Sequence, residues 1–132
     1  MTESGNPLNI LIADDNPQIL ELLEAYLEEL PVRITLAADG DATLDAVRAE
    51  KPDLILLDVM MPRRSGFEVC QVLKADEELS DIPIIMVTAL NEIGDAERAR
   101  EAGAELFISK PVNKLDLLTQ VKTFLKLDAS TT

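Results

Sequence analysis

Asp14, Asp15 and Asp58, together with Thr88 and Lys110, are the side chains whose types and surroundings could do chemistry. Each stands at the end of a short apolar run: LNILIA before Asp14 and Asp15, LILL before Asp58, IIMV before Thr88, and LFIS before Lys110 and Pro111. Three carboxylates brought close together repel and raise one another's pKa unless a cation joins them. With a single cysteine, Cys70, and no histidine, cysteine-based zinc sites, an internal disulfide and Ser/His/Asp or Cys/His catalysis are excluded. The expected ion is Mg²⁺, or Mn²⁺ in its place, held by carboxylates, a backbone carbonyl and waters. A carboxylate beside such an ion and a lysine can attack a phosphoryl group, metal and ammonium offsetting the charge on the equatorial oxygens. The product would be an aspartyl phosphate.

That chemistry requires elements that carry all five residues to one edge. Strand-like runs at Leu8 to Ala13, Val32 to Ala37, Leu54 to Leu57, Ile84 to Val87 and Leu106 to Ile108 alternate with helical patterns. Ile19, Leu22, Leu23, Tyr26, Leu27 and Leu30 form the stripe of the first helix, with Pro17 in its first turn and Pro31 after its last. Leu44 and Val47 mark the second helix, and Phe67, Cys70 and Leu73 the third, where Ser65 and Glu68 form a capping box. The fourth, Glu92 to Ala102, has an apolar face of Ile93 and alanines only and ends at Gly103. Leu118, Val121 and Leu125 define the fifth. The alternation implies an α/β fold, a (βα)5 doubly wound five-stranded parallel sheet with helices on both faces and continuously apolar central strands. In open α/β sheets ligands bind beyond the carboxyl ends of the strands, which is where the five polar residues fall.

Singly, each residue has an ordinary reading. Asp14, Asp15 or Asn16 can cap the helix that starts at Pro17, and Asp58 can turn the chain before Pro62. Thr88 can meet water at a strand end, and Lys110 can be a solvated surface lysine. Cys70 and Met61 read as packing. Convergence of the five on one rim favours the chemical reading over the separate ones.

At 132 residues and 47% hydrophobic, the chain is long enough for one domain with its own core. No apolar run approaches the roughly 20 residues of a membrane-spanning helix, and MTESGNP has no signal-peptide character. A cytoplasmic protein with no membrane partner is expected. The formal charge of −13 argues against direct DNA binding and favours cations or basic partner surfaces. Residues 1–6 and 128–132 read as polar tails around a domain at 7–127.

From ILIADDN through DLILLDVMMP and PIIMVTA to GAELFISKP, the order and spacing of these segments resemble the receiver domain of two-component response regulators, the CheY-like superfamily. The resemblance covers nearly the whole chain and implies a flavodoxin-like sheet with strand order 2-1-3-4-5. It implies that Asp58 is the phosphoacceptor, taking a phosphoryl group from a sensor histidine kinase or a histidine phosphotransfer protein. Asp15 and Asp58 would ligate Mg²⁺ directly, the main-chain carbonyl of Met60 would be a third protein ligand, and Asp14 would act mostly through water. Lys110, held by a cis bond to Pro111, would contact a phosphoryl oxygen. Thr88 would swing its hydroxyl toward the phosphoryl group, and the small Ala89 would leave space for Phe107 to turn inward. Phe107 also reads as an ordinary core aromatic. Many relatives have tyrosine there, so a switch at Phe107 would work by packing alone.

The same resemblance implies a phosphoacceptor that assists its own phosphorylation and dephosphorylation without being a turnover enzyme. Output would pass to a downstream protein partner or a homodimer through the fourth helix, fifth strand and fifth helix. The fourth helix is the expected movable element, since its alanine face buries little area at roughly 25 cal/mol per Å². Met60 and Leu90 are apolar where the family flanks the path of attacking water, so slow self-dephosphorylation is expected. Arg63 and Arg64 are either a solvated loop or a recruiter of an anionic phosphodonor; relatives often carry an apolar residue at Arg64 and an acid at Ser65. An aspartate-nucleophile phosphohydrolase is the rival of a different class, but it needs a second aspartate two residues on, and that position is Met60. A flavodoxin-like cofactor binder would need a Gly-rich phosphate loop after the first strand. A receiver module excised from a longer multidomain regulator or hybrid kinase stays open.

Overall fold

LILL is buried at every position, and its place in the sheet says why. The computed structural model describes residues 8–89 and 93–127. Its elements are β1 (Leu8–Ala13), α1 (Pro17–Tyr26), β2 (Val32–Ala37), α2 (Gly40–Ala49), β3 (Leu54–Leu57), α3 (Gly66–Ala75), β4 (Ile84–Thr88), α4 (Ile93–Ala102), β5 (Leu106–Ser109) and α5 (Lys114–Leu125). The strands form one parallel sheet in the order β2-β1-β3-β4-β5, so β3 is central. Its register sets Leu57 beside Ala13 on one side and beside Met86 on the other.

Period-two alternation divides each strand between two cores. On one face Ile10, Ile12, Leu54, Leu56, Ile85 and Val87 pack against Leu20, Leu23 and Leu27 and against Leu117, Leu118 and Val121 of α5. On the other, Leu11, Ile55, Leu57, Ile84 and Met86 meet α2 through Leu44 and Val47, α3 through Phe67, Cys70 and Leu73, and α4 through Ala99 and Ala102. Each fully buried leucine or isoleucine is worth about 1.5–3 kcal/mol of transfer free energy. The edge strand β2 has one neighbour and reads VRITLA, which leaves Leu36 43% exposed.

Helix starts follow local chemistry. Asn16, Asp39, Ser65 and Asn113 are the N-caps of α1, α2, α3 and α5, each side chain accepting a backbone N–H of its helix. Ser65 and Glu68 form the reciprocal capping box. Gly103, at φ +106°, follows α4 in the left-handed region that favours glycine.

The first helix departs from its expected stripe. It ends at Tyr26 rather than continuing to Leu30, and its buried line is Leu20 and Leu23, followed by Leu27 at the cap. Leu22, expected on that stripe, is 41% exposed, because it lies about a quarter-turn from Leu23, on the side away from Leu20. Leu30 reaches the core through a turn, its N–H donating to the Leu27 carbonyl at 3.0 Å. β4 and β5 run one residue further than their apolar runs, to Thr88 and Ser109. Glu92, the expected start of the fourth helix, and Leu90 lie outside the described residues.

Candidate functional site

The sheet ladder continues into the polar rim. The Asp58 N–H donates to the Ala13 carbonyl at 2.9 Å, the Asp14 N–H to the Ala37 carbonyl at 3.1 Å, and the Lys110 N–H to the Thr88 carbonyl at 2.8 Å. Three backbones are thus held by the same bonds that hold the strands. Strand order reverses between β1 and β3, which opens a crevice at their carboxyl ends, and Asp14 and Asp58 flank it.

Carboxylate oxygens of Asp14, Asp15 and Asp58 all lie within 4.8 Å of one another. Asp14 and Asp58 are buried and Asp15 is exposed. Lys110 reaches between the two buried acids: its Nζ is 2.8 Å from Asp14 Oδ2 and 3.6 Å from Asp58 Oδ1. Asp14 Oδ1 also accepts the Asn16 N–H at 2.9 Å. Capping of α1 falls to Asn16, whose Oδ1 accepts the Gln18 N–H at 2.8 Å. Asp14 and Asp15 are thereby released from the capping role, and Lys110 is not the solvated lysine of its ordinary reading. The Lys110–Pro111 peptide bond is cis.

Burial pushes the Asp58 carboxyl above its ordinary pKa, and the Asp14 charge pushes it further. Lys110 and hydrogen bonds from Thr88 and the Val59 backbone act in the opposite direction without cancelling the rise. The charged form of Asp58 is therefore held at a cost, which an added cation would relieve. Oxygens in trans across Mg²⁺ are about 4.1 Å apart and cis oxygens about 2.9 Å. A set already within 4.8 Å fits such an ion with small side-chain shifts.

Other expected residues fall around this centre. Met60 is 63% exposed beside the crevice, and with Asp15, Met61, Phe67 and Arg98 it lines an open groove of about 680 Å³. Ala89 is exposed, and Phe107 is half-buried against the α2–α3–α4 core. Cys70 is buried, donates to the Ala102 carbonyl at 3.3 Å, and has its thiol pushed up to about 11 by burial, as suits packing. Arg64 pairs with Asp41 at 3.0 Å, and Arg63, at φ +73°, lies 3.7 Å from Asp39, so the loop after β3 is tied to the start of α2.

Two features were not visible along the chain. Gly66 sits so close to the β3 end that a Cβ there would be 2.2 Å from the Asp58 carbonyl oxygen. Its N–H donates to the Val59 carbonyl at 2.9 Å. The glycine next to the Ser65 cap was the available signal, but only the folded loop shows which backbone it meets. Arg98 of α4 stacks over the Phe67 ring, 4.3 Å from its centroid, giving the alanine-faced helix a specific contact.

The fold is flavodoxin-like, of the CheY type, with an acidic pocket at the topological switch point. Residues 10–122 match the family of the response regulator receiver domain. The chain belongs to that family. It is 38% identical over 119 residues to the polar-differentiation response regulator DivK of Brucella anthropi, covering 90% of this chain and 97% of DivK. It is 38% identical to the probable transcriptional regulator ycf27 of Cyanophora paradoxa, covering 92% of this chain but only 49% of that protein's length. The receiver domain of a signal transduction histidine kinase from Syntrophus aciditrophicus superposes with a TM-score of 0.83 at 36% identity, covering 89% of each chain. Receiver domains are signalling modules that work with histidine kinases and downstream partners. Among the described residues no helix is long and apolar enough to cross a membrane.

Proposed function

We propose that this chain is written to at Asp58, which accepts a phosphoryl group from a phosphohistidine on a sensor kinase or phosphotransfer protein. The observation that carries this reading is the placement of Asp58: buried at the end of the central strand, with Asp14 and Asp15 beside it and Lys110 Nζ 3.6 Å away. Asp15, Asp58 and the Met60 carbonyl would hold Mg²⁺ directly, with Asp14 acting mainly through water. When bound, the ion supplies positive charge against the phosphoryl oxygens. Asp58 Oδ attacks phosphorus, the P–N bond to the donor imidazole breaks, and its electron pair stays with the imidazole nitrogen. Lys110 is tethered to Asp14 before the reaction and shifts toward a phosphoryl oxygen after it. Thr88, already hydrogen-bonded to Asp58, follows the same oxygen set, and Phe107 repacks past Ala89.

Residues 7–127 form the receiver unit in this reading, with output through α4, β5 and α5 to a protein partner or a second copy. The chain acts as a phosphoacceptor in the cytoplasm, with no turnover of a substrate and no direct contact with DNA. The test is to incubate the protein with Mg²⁺ and acetyl phosphate and to compare its intact mass with that of Asp58→Asn. A gain of one phosphoryl in the first and none in the second is expected. Consumption of the donor without a covalent adduct would favour a phosphohydrolase instead.

A further inference from the structure

We infer that the α1–β2 edge is a docking surface for a cationic protein segment anchored by an apolar side chain. An open groove of about 400 Å³ runs between these elements, floored by Leu27, Val32 and Ile34 and rimmed by Glu21, Glu24 and Glu28. The floor exists because β2 is an edge strand. Val32, Ile34 and Leu36 share the face that α1 covers only in part: the first two are half-buried and Leu36 is 43% exposed. Among the described residues no strand lies beyond β2 to extend that cover.

The rim selects the occupant. Glu21 and Glu24 are exposed one turn apart on α1, and Glu28 is exposed in the turn that follows the helix. None makes an ion pair or side-chain hydrogen bond among the described residues, whereas neighbouring Glu29 pairs with Lys114 at 3.4 Å. Like charges one turn apart repel, and α1 has no basic residue in its last turn to relieve them. A segment carrying lysine or arginine on both sides of an apolar side chain would neutralise the rim and cover the floor together. A second copy would bring an identical acidic rim, and the chain carries −13 in all. This surface lies at the opposite sheet edge from β5, so docking here is separate from the phosphorylation reading and does not depend on it.

The experiment titrates the isotope-labelled full chain, saturated with Mg²⁺, with a synthetic helical peptide bearing leucines on one face and lysines around them. Saturable shift changes confined to residues 21–36 are expected, with equal affinity before and after treatment with acetyl phosphate. Combined Glu21→Lys, Glu24→Lys and Glu28→Lys should weaken binding at least tenfold, and Val32→Ser should weaken it while leaving the rim intact. The charge-matched control Asp45→Lys, Glu77→Lys, Glu101→Lys should retain affinity. Equal loss in the control, shifts centred on Asp14 and Asp58, self-association through this face without peptide, or no saturable binding would each overturn the inference.

Discussion

Asp58 is costly to keep charged, and that cost has a sign. Its folded-state pKa is raised by burial and by Asp14, so the native state binds the proton more tightly than the unfolded chain does. The resulting penalty is absent below the ordinary carboxylate pKa, grows as pH rises through it, and is complete above the raised value. In chelator at pH 7, Asp58→Asn is therefore expected to be more stable than the parent by about 1 kcal/mol, read as a melting temperature about 4 °C higher. The difference should close as the pH of the melt is lowered toward 4; a gap independent of pH would contradict this assignment. Lys110 keeps its bond to Asp14 in that variant, which is why relief of repulsion outweighs the lost pair. Met60 bears on how long a phosphoryl mark lasts. Exposed and apolar at the rim, it has no side-chain group that orients water. The phosphorylated protein should last minutes or longer, and Met60→Asn should shorten that lifetime about tenfold. Loss of the mark within seconds in the purified parent would refute this.

At the scale of elements, the loop between β3 and α3 is the part most closely fitted to the site. Gly66 lets α3 start against the Asp58 backbone, and its neighbour Ser65 supplies the cap. The two residues should separate cleanly on mutation. Ser65→Ala removes one capping bond and should cost about 1 kcal/mol with phosphorylation by acetyl phosphate nearly unchanged. Gly66→Ala places a methyl 2.2 Å from the Asp58 carbonyl oxygen. It should cost about 3 kcal/mol and, because the strain lands on Asp58, slow phosphorylation as well. Comparable rates in the two variants would show that the close approach is irrelevant to the site. α4 stands at the other extreme: its described contacts include the small side chains of Ala99 and Ala102, the Arg98–Phe67 stack and the Cys70 thiol on the Ala102 carbonyl.

At the scale of the molecule, charge dominates. Three acids meet at the crevice within a chain of net charge −13. A divalent cation that binds the folded state alone stabilises it by mass action, about 2.7 kcal/mol at 100 times its Kd. Mg²⁺ should thus raise the melting temperature of the parent, and Asp15→Asn and Asp58→Asn should each abolish most of that rise. A monovalent salt at matched ionic strength screens the general repulsion and should give a smaller increase common to all three proteins. Equal responses to Mg²⁺ across the three would remove the metal from the reading of the crevice.

The amino-acid order determined the alternation of strands and helices, the buried character of LILL, the Ser65–Glu68 cap and the convergence of five polar residues on one edge. The first three are local, since period, capping chemistry and run length are written in neighbouring residues, and the convergence follows once the alternation implies a parallel sheet. The first helix shows the limit of such reading. The expected stripe includes Leu22, which is exposed, and omits Leu20, which is buried, while Leu23, Leu27 and Leu30 are buried as expected, because the angle of a helix over its sheet is set by contacts distant in sequence. The same holds at the site. That Asn16 caps α1, that Lys110 binds Asp14 across 96 positions, and that Gly66 presses on Asp58 were decided only in three dimensions. Sequence named the groups that could act; the order β1-β3-β4-β5 within one parallel sheet decided which of them touch.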